Sequence, residues 1–215
     1  MIPWNFTITS ILGSLLPLLA AGNTVVLKPS EKSPLSAARF VELLDLPPGV
    51  VNLVHGDARA GRPLAAHENV ALLHFTGSVE AGRSVGVAAA QRLQRSVLEL
   101  GGNDPVIVDA DVDVAATAQA VAFSSFVNSG QICTSSERIY VHRAVAQEFI
   151  AALVDAAGAY ALNADRDGTG LGPLVDETQR SLVHAHVAEA VSSARRCCAA
   201  AWSRTVPGSA TPPQS

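Results

Sequence analysis

Short runs of β-branched and aliphatic residues alternate along this chain with longer segments whose apolar residues recur at helical spacing. We predict strands at 24–28, 50–54, 70–75, 97–100, 106–108 and 139–141, and helices at 34–44, 63–66, 79–93, 112–126, 144–157 and 177–193. Strand–helix–strand order favours parallel strands, because parallel neighbours need a crossover connection. The expected fold class is therefore α/β, with a parallel sheet covered on both faces by helices.

The glycine pair Gly101 and Gly102 interrupts this alternation. We place a domain boundary there, so that residues 1–100 form a first domain and residues 101–193 a second. Residues 194–215 have no helix or strand periodicity and are interpreted as an irregular tail. No internal repeat is found in the sequence.

Composition excludes several functional classes. Apolar residues make up 48% of the chain and charged residues 16%, which excludes a disordered or fibrous protein. The net charge of −4 provides no electrostatic footprint for nucleic acid. Three cysteines, two of them adjacent, do not form a disulfide framework, so a cytoplasmic location is expected.

An apolar stretch at residues 8–22 resembles the core of a signal peptide. No Lys or Arg precedes it before Lys28, it is too short to span a bilayer, and Pro17 interrupts it. We therefore expect a buried helix and no membrane association. The six histidines lack metal-ligand spacing, and His184 and His186 would point to different faces of a helix, so no metal site is expected.

Cys133 follows the polar, glycine-containing stretch that begins at Asn128. A lone cysteine is often a small buried hydrophobe. The alternative is a reactive thiol, because Gly130 and its polar neighbours are typical of a tight loop with exposed N–H groups. Such groups lower the pKa of a thiol and can hold an oxyanion.

Two further polar residues have both a functional and an ordinary interpretation. Glu99 ends an apolar strand; if it is buried its pKa rises toward the range of a general base, and otherwise it is an outward-facing strand-end residue. Asn5 lies between two aromatic residues and is either an oxyanion donor or, as the isolated pattern favours, a turn residue.

Residues 77–84 nearly match a phosphate-binding loop between a strand and a helix. Arg83 occupies the position that requires Lys, and Glu80 would place a carboxylate in a loop that binds anions. These two residues therefore argue against a nucleotide hydrolase.

Six short blocks, in order along the chain, together resemble the aldehyde dehydrogenase superfamily. They are residues 3–6 (PWNF), 28–31 (KPSE), 75–78 (FTGS), 99–102 (ELGG), 130–133 (GQIC) and 171–174 (LGPL). The resemblance covers about residues 2–193 and includes the intervals from Asn5 to Lys28 and from Glu99 to Cys133. It implies an incomplete, Rossmann-like NAD-binding domain over residues 1–100 and part of an α/β catalytic domain over residues 101–193.

The resemblance also implies catalytic roles. Cys133 would attack an aldehyde carbonyl, and the oxyanion of the thiohemiacetal would be held by the Asn5 amide and the Cys133 N–H. Hydride transfer to the nicotinamide would leave a thioester, and Glu99 would activate the water that releases a carboxylic acid. The substrate would be a small-molecule aldehyde, and full-length members of the family are homo-oligomers.

The cofactor contacts implied by the resemblance fall on six residues of the first domain. They are Trp4, Lys28, Glu31, Gly77, Ser78 and Leu100. Lys28 and Glu31 would bind the adenosine ribose, and the Glu31 carboxylate would repel a 2′-phosphate, which favours NAD over NADP. Gly77 and Ser78 would contact the pyrophosphate at a helix N-terminus.

The chain departs from the family pattern at several positions. Thr7 and residues 103–104 (ND) differ from the usual residues. The segments that precede and follow these blocks in the family are lacking, so we expect an internal fragment, and we interpret residues 194–215 as the product of a frameshift. The competing hypothesis is a truncated, non-catalytic remnant with exposed apolar surface.

Overall fold

The computed structural model describes residues 1–160 and 170–193. The chain divides into two compact units, Met1–Gly101 and Gly102–Ser215. The tail at 194–215, with its frameshift hypothesis, lies outside the described residues, as do residues 161–169.

Both units are built from helices and parallel strands. The first unit contains α1 (Thr7–Ala20), β1 (Val25–Leu27), α2 (Pro34–Glu42), β2 (Val51–Leu53), α3 (Ala58–Ala66), β3 (Leu72–Thr76), α4 (Val79–Gln91) and β4 (Arg95–Glu99). The second contains β5 (Asp104–Val108), α5 (Val114–Phe126), a 3₁₀ turn (Val127–Gly130), β6 (Ser136–Val141), α6 (Ala146–Gly158) and α7 (Glu177–Ser192). Every predicted strand and helix is present, with boundaries that differ by a few residues.

The strands pair in twos: β1 with β2, β3 with β4, and β5 with β6, all parallel. Extended residues at the start of the chain link the two pairs of the first unit. The Ile2 N–H donates to the Lys28 carbonyl at 3.0 Å, and the Thr76 N–H donates to the Met1 carbonyl at 3.1 Å. The carboxyl ends of β1 and β3 are therefore joined through these two residues.

Three apolar clusters form the cores. In the first unit, one cluster lies where α1, β1 and α2 meet, and another where α3, β3 and α4 meet; in the second, β5 packs with α5 and α6. Their buried members are Ile2, Ile11, Leu15, Leu27 and Ala37; Ala65, Leu73, Val85 and Ala89; and Val108, Val114, Ala118, Val121 and Phe149. The burial of such side chains is the main stabilising contribution.

The expectation that the strands are covered on both faces is wrong for the described residues. Val26 and Val97 are exposed, and the Ile107 side chain is 82% exposed. The reason is that successive strand residues point to opposite faces, and the helices pack on only one of them at these positions.

The apolar stretch at residues 8–22 is a helix, as predicted, but only one side of α1 is buried. Ile11 and Leu15 are fully enclosed, whereas Leu12 and Leu16 are exposed. Within the described parts of the chain, no helix is both long enough and apolar enough to cross a membrane.

Candidate active site

Cys133 lies in a loop of the second unit between α5 and β6, which we call the Cys133 loop (residues 127–135). Three successive residues of this loop, Asn128, Ser129 and Gly130, have left-handed φ values of 54°, 58° and 70°. A Cβ on Gly130 would lie 3.1 Å from the Ser125 carbonyl oxygen, so glycine suits this position. For Asn128 and Ser129 this conformation costs about 1 kcal/mol each, and other contacts must offset it.

Hydrogen bonds fix the ends of the loop. The Ser125 hydroxyl donates to the Ser136 carbonyl at 2.8 Å, and the hydroxyls of Ser124 and Ser136 bond to each other. These contacts attach the last turn of α5 to the first residue of β6. The predicted tight loop is present, and Cys133 is an exposed free thiol, so the buried-hydrophobe interpretation is wrong.

The loop also contacts residues 172–175, the segment that leads to α7. The Ser129 hydroxyl donates to the Gly172 carbonyl at 2.8 Å, and the Val175 N–H donates to Gln131 Oε1 at 2.9 Å. Sequence reasoning missed both contacts. Nothing in the sequence indicates them. In each contact a side chain of the loop bonds to a backbone group 43 or 44 positions away, and any residue could supply that backbone group.

Glu99 is the last residue of β4, where it pairs in register with Thr76 of β3. Its side chain is exposed and outward-facing, so its role as a general base rests on the family resemblance and not on burial. The reason for the exposure is its place at the end of a strand in which no side chain is fully buried. The Glu99 carbonyl accepts a 3.0 Å hydrogen bond from the Gly77 N–H.

Lys28 and Glu31 lie close together at the end of β1. The buried Lys28 ammonium donates to the carbonyls of Pro29 at 2.8 Å and Gly56 at 2.6 Å, and lies 3.9 Å from Glu31 Oε2. Burial lowers the pKa of Lys28, and the carboxylates of Glu31 and Asp57 oppose that shift. The structure thus gives this lysine a fixed position beside a half-exposed carboxylate.

Gly77 and Ser78 connect β3 to α4. A Cβ on Gly77 would lie 2.6 Å from Phe75 Cζ, so any larger residue would require that ring to move. The Gly77 N–H is already bonded to Glu99, and Ser78 Oγ caps α4 by accepting from the Ala81 N–H at 3.3 Å. One of the two donors predicted for the pyrophosphate, the Gly77 N–H, is therefore used within the chain.

Asn5 lies in the turn that precedes α1, as the isolated pattern favours. Phe6 follows with a left-handed φ of 50°. The buried Thr7 hydroxyl donates to the Trp4 carbonyl at 3.0 Å and is 3.0 Å from the Ser33 hydroxyl. These bonds give a physical role to Thr7, which departs from the family pattern.

Leu100 follows β4 and packs on α4. A Cβ on Gly82 would come within 2.2 Å of Leu100 Cδ2, so this side chain fills the space beside the helix.

Of the predicted site residues in the first unit, the structure brings together Lys28 with Glu31, and Gly77 with Glu99. Among the described residues, no three His, Cys, Asp or Glu side chains are grouped as a metal site requires.

Comparisons with known proteins agree on one family. The model of the aldehyde dehydrogenase family matches residues 1–209. Phenylacetaldehyde dehydrogenase of Pseudomonas fluorescens is 40% identical over 192 residues, which cover 87% of this chain and 38% of that protein. Lactaldehyde dehydrogenase of Escherichia coli K12 is 38% identical over 202 residues, 91% of this chain and 42% of that protein.

Solved structures give the same result and confirm the α/β fold class. A lactaldehyde dehydrogenase superposes with a TM-score of 0.92 at 36% identity, covering 99% of this chain and 46% of that one. A mutant indole-3-acetaldehyde dehydrogenase of P. syringae, in complex with NAD⁺ and IAA, has a TM-score of 0.89 at 34% identity, covering 93% and 42%. The chain spans about two fifths of the length of the curated relatives it matches. By sequence and by fold, it belongs to the aldehyde dehydrogenase family.

Proposed function

We propose that this chain carries the nucleophile and the general base of an NAD-dependent aldehyde dehydrogenase. The observation that carries the proposal is Cys133, an exposed thiol on a hydrogen-bonded left-handed turn, in a chain of this family. Relatives named for phenylacetaldehyde and lactaldehyde support a small aldehyde as the substrate class.

The proposed reaction begins when Cys133 Sγ bonds to the aldehyde carbon and forms a thiohemiacetal. The Cys133 N–H donates to the oxyanion, and the family resemblance assigns the side-chain donor to the Asn5 amide. NAD⁺, when bound, supplies the hydride acceptor that allows a thioester to form on Cys133. Glu99 then takes a proton from the water that attacks this thioester, and the carboxylic acid leaves as the C–S bond breaks.

The residues at the end of β1 fit the adenosine ribose of NAD. The Lys28 ammonium uses two N–H groups on the Pro29 and Gly56 carbonyls and has a third to donate to a ribose hydroxyl. The Glu31 carboxylate, 3.9 Å from that ammonium, can accept from the neighbouring hydroxyl. A 2′-phosphate would meet this carboxylate, so we favour NAD over NADP.

The test is NADH formation by the full chain with phenylacetaldehyde or lactaldehyde, followed by absorbance. We expect Cys133→Ala to lower the rate by about a thousandfold or more, because the covalent route is lost. Cys197→Ala, which removes a different thiol, is the matched control and should retain the native rate. Absence of NADH formation together with absence of NAD⁺ binding in calorimetry would overturn the proposal in favour of the remnant hypothesis.

A further inference from the structure

The side chain of Gln131, two residues before Cys133, bridges two segments of the second unit. Its Nε2 donates to the Asn128 carbonyl at 3.0 Å, while its Oε1 accepts from the Val175 N–H at 2.9 Å. The Asn128 side chain returns a bond, from Nδ2 to the Gln131 carbonyl at 3.2 Å. The Gln131 backbone N–H donates to the same Asn128 carbonyl at 3.2 Å, so the side-chain amide reinforces the turn and also attaches it to residues 172–175.

Ser129 provides a second attachment to the same segment. Its hydroxyl donates to the Gly172 carbonyl at 2.8 Å, three residues before the amide that Gln131 binds. The Gly172 carbonyl and the Val175 N–H are both backbone groups. The two bonds therefore fix the backbone of residues 172–175 and not the position of a side chain. The bond from the Val175 N–H to Gln131 is part-buried, which limits competition from water, whereas the bond from Ser129 to Gly172 is exposed.

The Cys133 loop needs such contacts because backbone preference opposes its left-handed turn and, of its residues, only Ser135 is buried. Cys133 is exposed, and Asn128 is exposed as well. Asn128 and Ser129 occupy a φ region that residues other than glycine rarely adopt. A loop in this state keeps its shape only while the surrounding contacts determine it.

We propose that Gln131 is a positioning residue for Cys133: it clamps the Cys133 loop onto residues 172–175 and so fixes the thiol and the N–H that follow. This inference rests on the proposed role of Cys133 as nucleophile. Without the clamp, Asn128 and Ser129 are released from the left-handed region, and Cys133 samples many orientations. The fraction of productive encounters with a carbonyl then falls, because reaction needs an aligned nucleophile.

Two substitutions divide the functions of the Gln131 amide. Gln131→Met keeps the length of the side chain and removes the bonds to the Asn128 carbonyl and the Val175 N–H. Gln131→Glu keeps an oxygen that accepts from the Val175 N–H and removes the donor to Asn128. Gln147→Met, at an exposed position on α6, is the matched control for the chemical change.

The first measurement is amide hydrogen exchange at Val175, resolved by NMR in the full chain. Loss of its acceptor in Gln131→Met should accelerate exchange at Val175 by about tenfold, the effect of one hydrogen bond. Gln131→Glu should retain the protection, and Gln147→Met should match the native chain. Unchanged exchange at Val175 in Gln131→Met would show that the clamp does not exist.

The second measurement reports on the thiol and needs neither the cofactor nor Glu99. Cys133 Sγ is acylated by p-nitrophenyl acetate: a bond forms to the acetyl carbon, the ester bond breaks, and p-nitrophenolate leaves. We expect acylation at Cys133, quantified by peptide mass spectrometry, to be about tenfold slower in Gln131→Met, with rescue to within about threefold by Gln131→Glu. A native acylation rate beside accelerated Val175 exchange would overturn the positioning role.

The two proposals fail in different ways. If the chain neither forms NADH nor binds NAD⁺, the proposed function fails, but the acylation rate and the Val175 exchange still decide whether Gln131 positions the thiol. If the chain is active, the clamp further predicts a kcat about tenfold lower in Gln131→Met, with KM within about twofold of native, since substrate binding is not its task. A loss confined to KM would contradict it.

Discussion

At the scale of single residues, substitution of Glu99 can separate thioester formation from thioester hydrolysis in the proposed reaction. Its carboxylate is exposed at the end of β4, so substitution removes no packing. Glu99→Gln should leave thioester formation intact and slow its hydrolysis by about a hundredfold or more. The expected result is a burst of NADH, about one per chain, followed by a slow phase in stopped-flow absorbance.

The control for this prediction is Glu148→Gln, an exposed carboxylate in the first turn of α6, which should keep the native steady-state rate. Loss of the burst itself in Glu99→Gln would assign Glu99 to an earlier step. Equal steady-state rates in both variants would remove it from the reaction.

The site residues differ in how far the sequence could reveal them. The family resemblance assigned Lys28 and Glu31 to one ribose-binding site, and the structure places the Lys28 ammonium 3.9 Å from Glu31 Oε2. The burial of Glu99 could not be read from its apolar neighbours, because exposure depends on which elements pack around β4. The contact of Gln131 with Val175 could not be predicted, because the partner is a backbone N–H that nearly every residue type has.

At the scale of elements, the end of α4 is closed by an unusual residue. Leu93 has a left-handed φ of 54° and is 96% exposed. The Leu93 N–H donates to the Ala90 carbonyl and the Gln94 N–H to the Ala89 carbonyl, a Schellman arrangement that favours glycine at position 93. Leu93→Gly should therefore raise the free energy of unfolding by about 1 kcal/mol, measured by urea denaturation.

Leu93→Ala removes the same exposed side chain but keeps the Cβ, and should change stability by less than about 0.5 kcal/mol. If both substitutions had the same effect, the backbone conformation of Leu93 would not be the source of the strain.

The packing of α4 against β4 and the residue that follows it leads to a second prediction, which concerns two glycines of α4. A Cβ on Gly82 would come within 2.2 Å of Leu100 Cδ2 and 3.2 Å of its Cγ, whereas a Cβ on Gly86 would lie 3.3 Å from Leu98 Cδ1. Gly82→Ala should destabilise the first unit by about 1–3 kcal/mol through overpacking. Gly86→Ala should be neutral or stabilise it by up to about 1 kcal/mol, because alanine favours helix and one methyl group can yield.

Thermal unfolding of the two variants side by side provides the measurement. Since the helix propensity term is the same at both positions, the difference between them isolates packing against Leu100. Equal melting temperatures would contradict the close approach of α4 and Leu100.

The elements themselves were predictable where a local signal marks their ends. Ser78 caps α4 at the predicted start of that helix. The predicted end, at residue 93, was two residues late, because the terminating position holds leucine and not glycine. The start of α3 was placed five residues late: Asp57 caps it by accepting from the Arg59 N–H, but Pro63 had suggested a later beginning.

At the scale of the whole molecule, the uncovered strand faces are the main departure from the α/β pattern that the sequence predicted. The alternation of strands and helices identified the fold class, but it could not show which faces remain open, because cover depends on elements distant in sequence. In β5, neighbouring residues illustrate the two situations: Ile107 is 82% exposed and Val108 is 2% exposed.

This contrast predicts opposite results for two threonine substitutions in one strand. Ile107→Thr should change the free energy of unfolding by less than about 0.5 kcal/mol and reduce aggregation, because it removes exposed apolar surface and keeps β-branching. Val108→Thr should cost about 1–3 kcal/mol, since it buries a hydroxyl in the core beside α5 and α6. Urea denaturation and light scattering of the two variants are the measurements; equal stability losses would refute the assigned faces.

The close approach of Gly77 to Phe75 also constrains how this molecule can change over successive substitutions. A Cβ at position 77 would lie 2.6 Å from Phe75 Cζ, so a larger residue at 77 requires the ring at 75 to move or to be replaced by a smaller side chain. The two positions are therefore epistatic, and the order of the changes decides how much strain the intermediate carries. Because the Gly77 N–H also holds the Glu99 carbonyl, a route through the wrong order would disturb the strand that carries the proposed base.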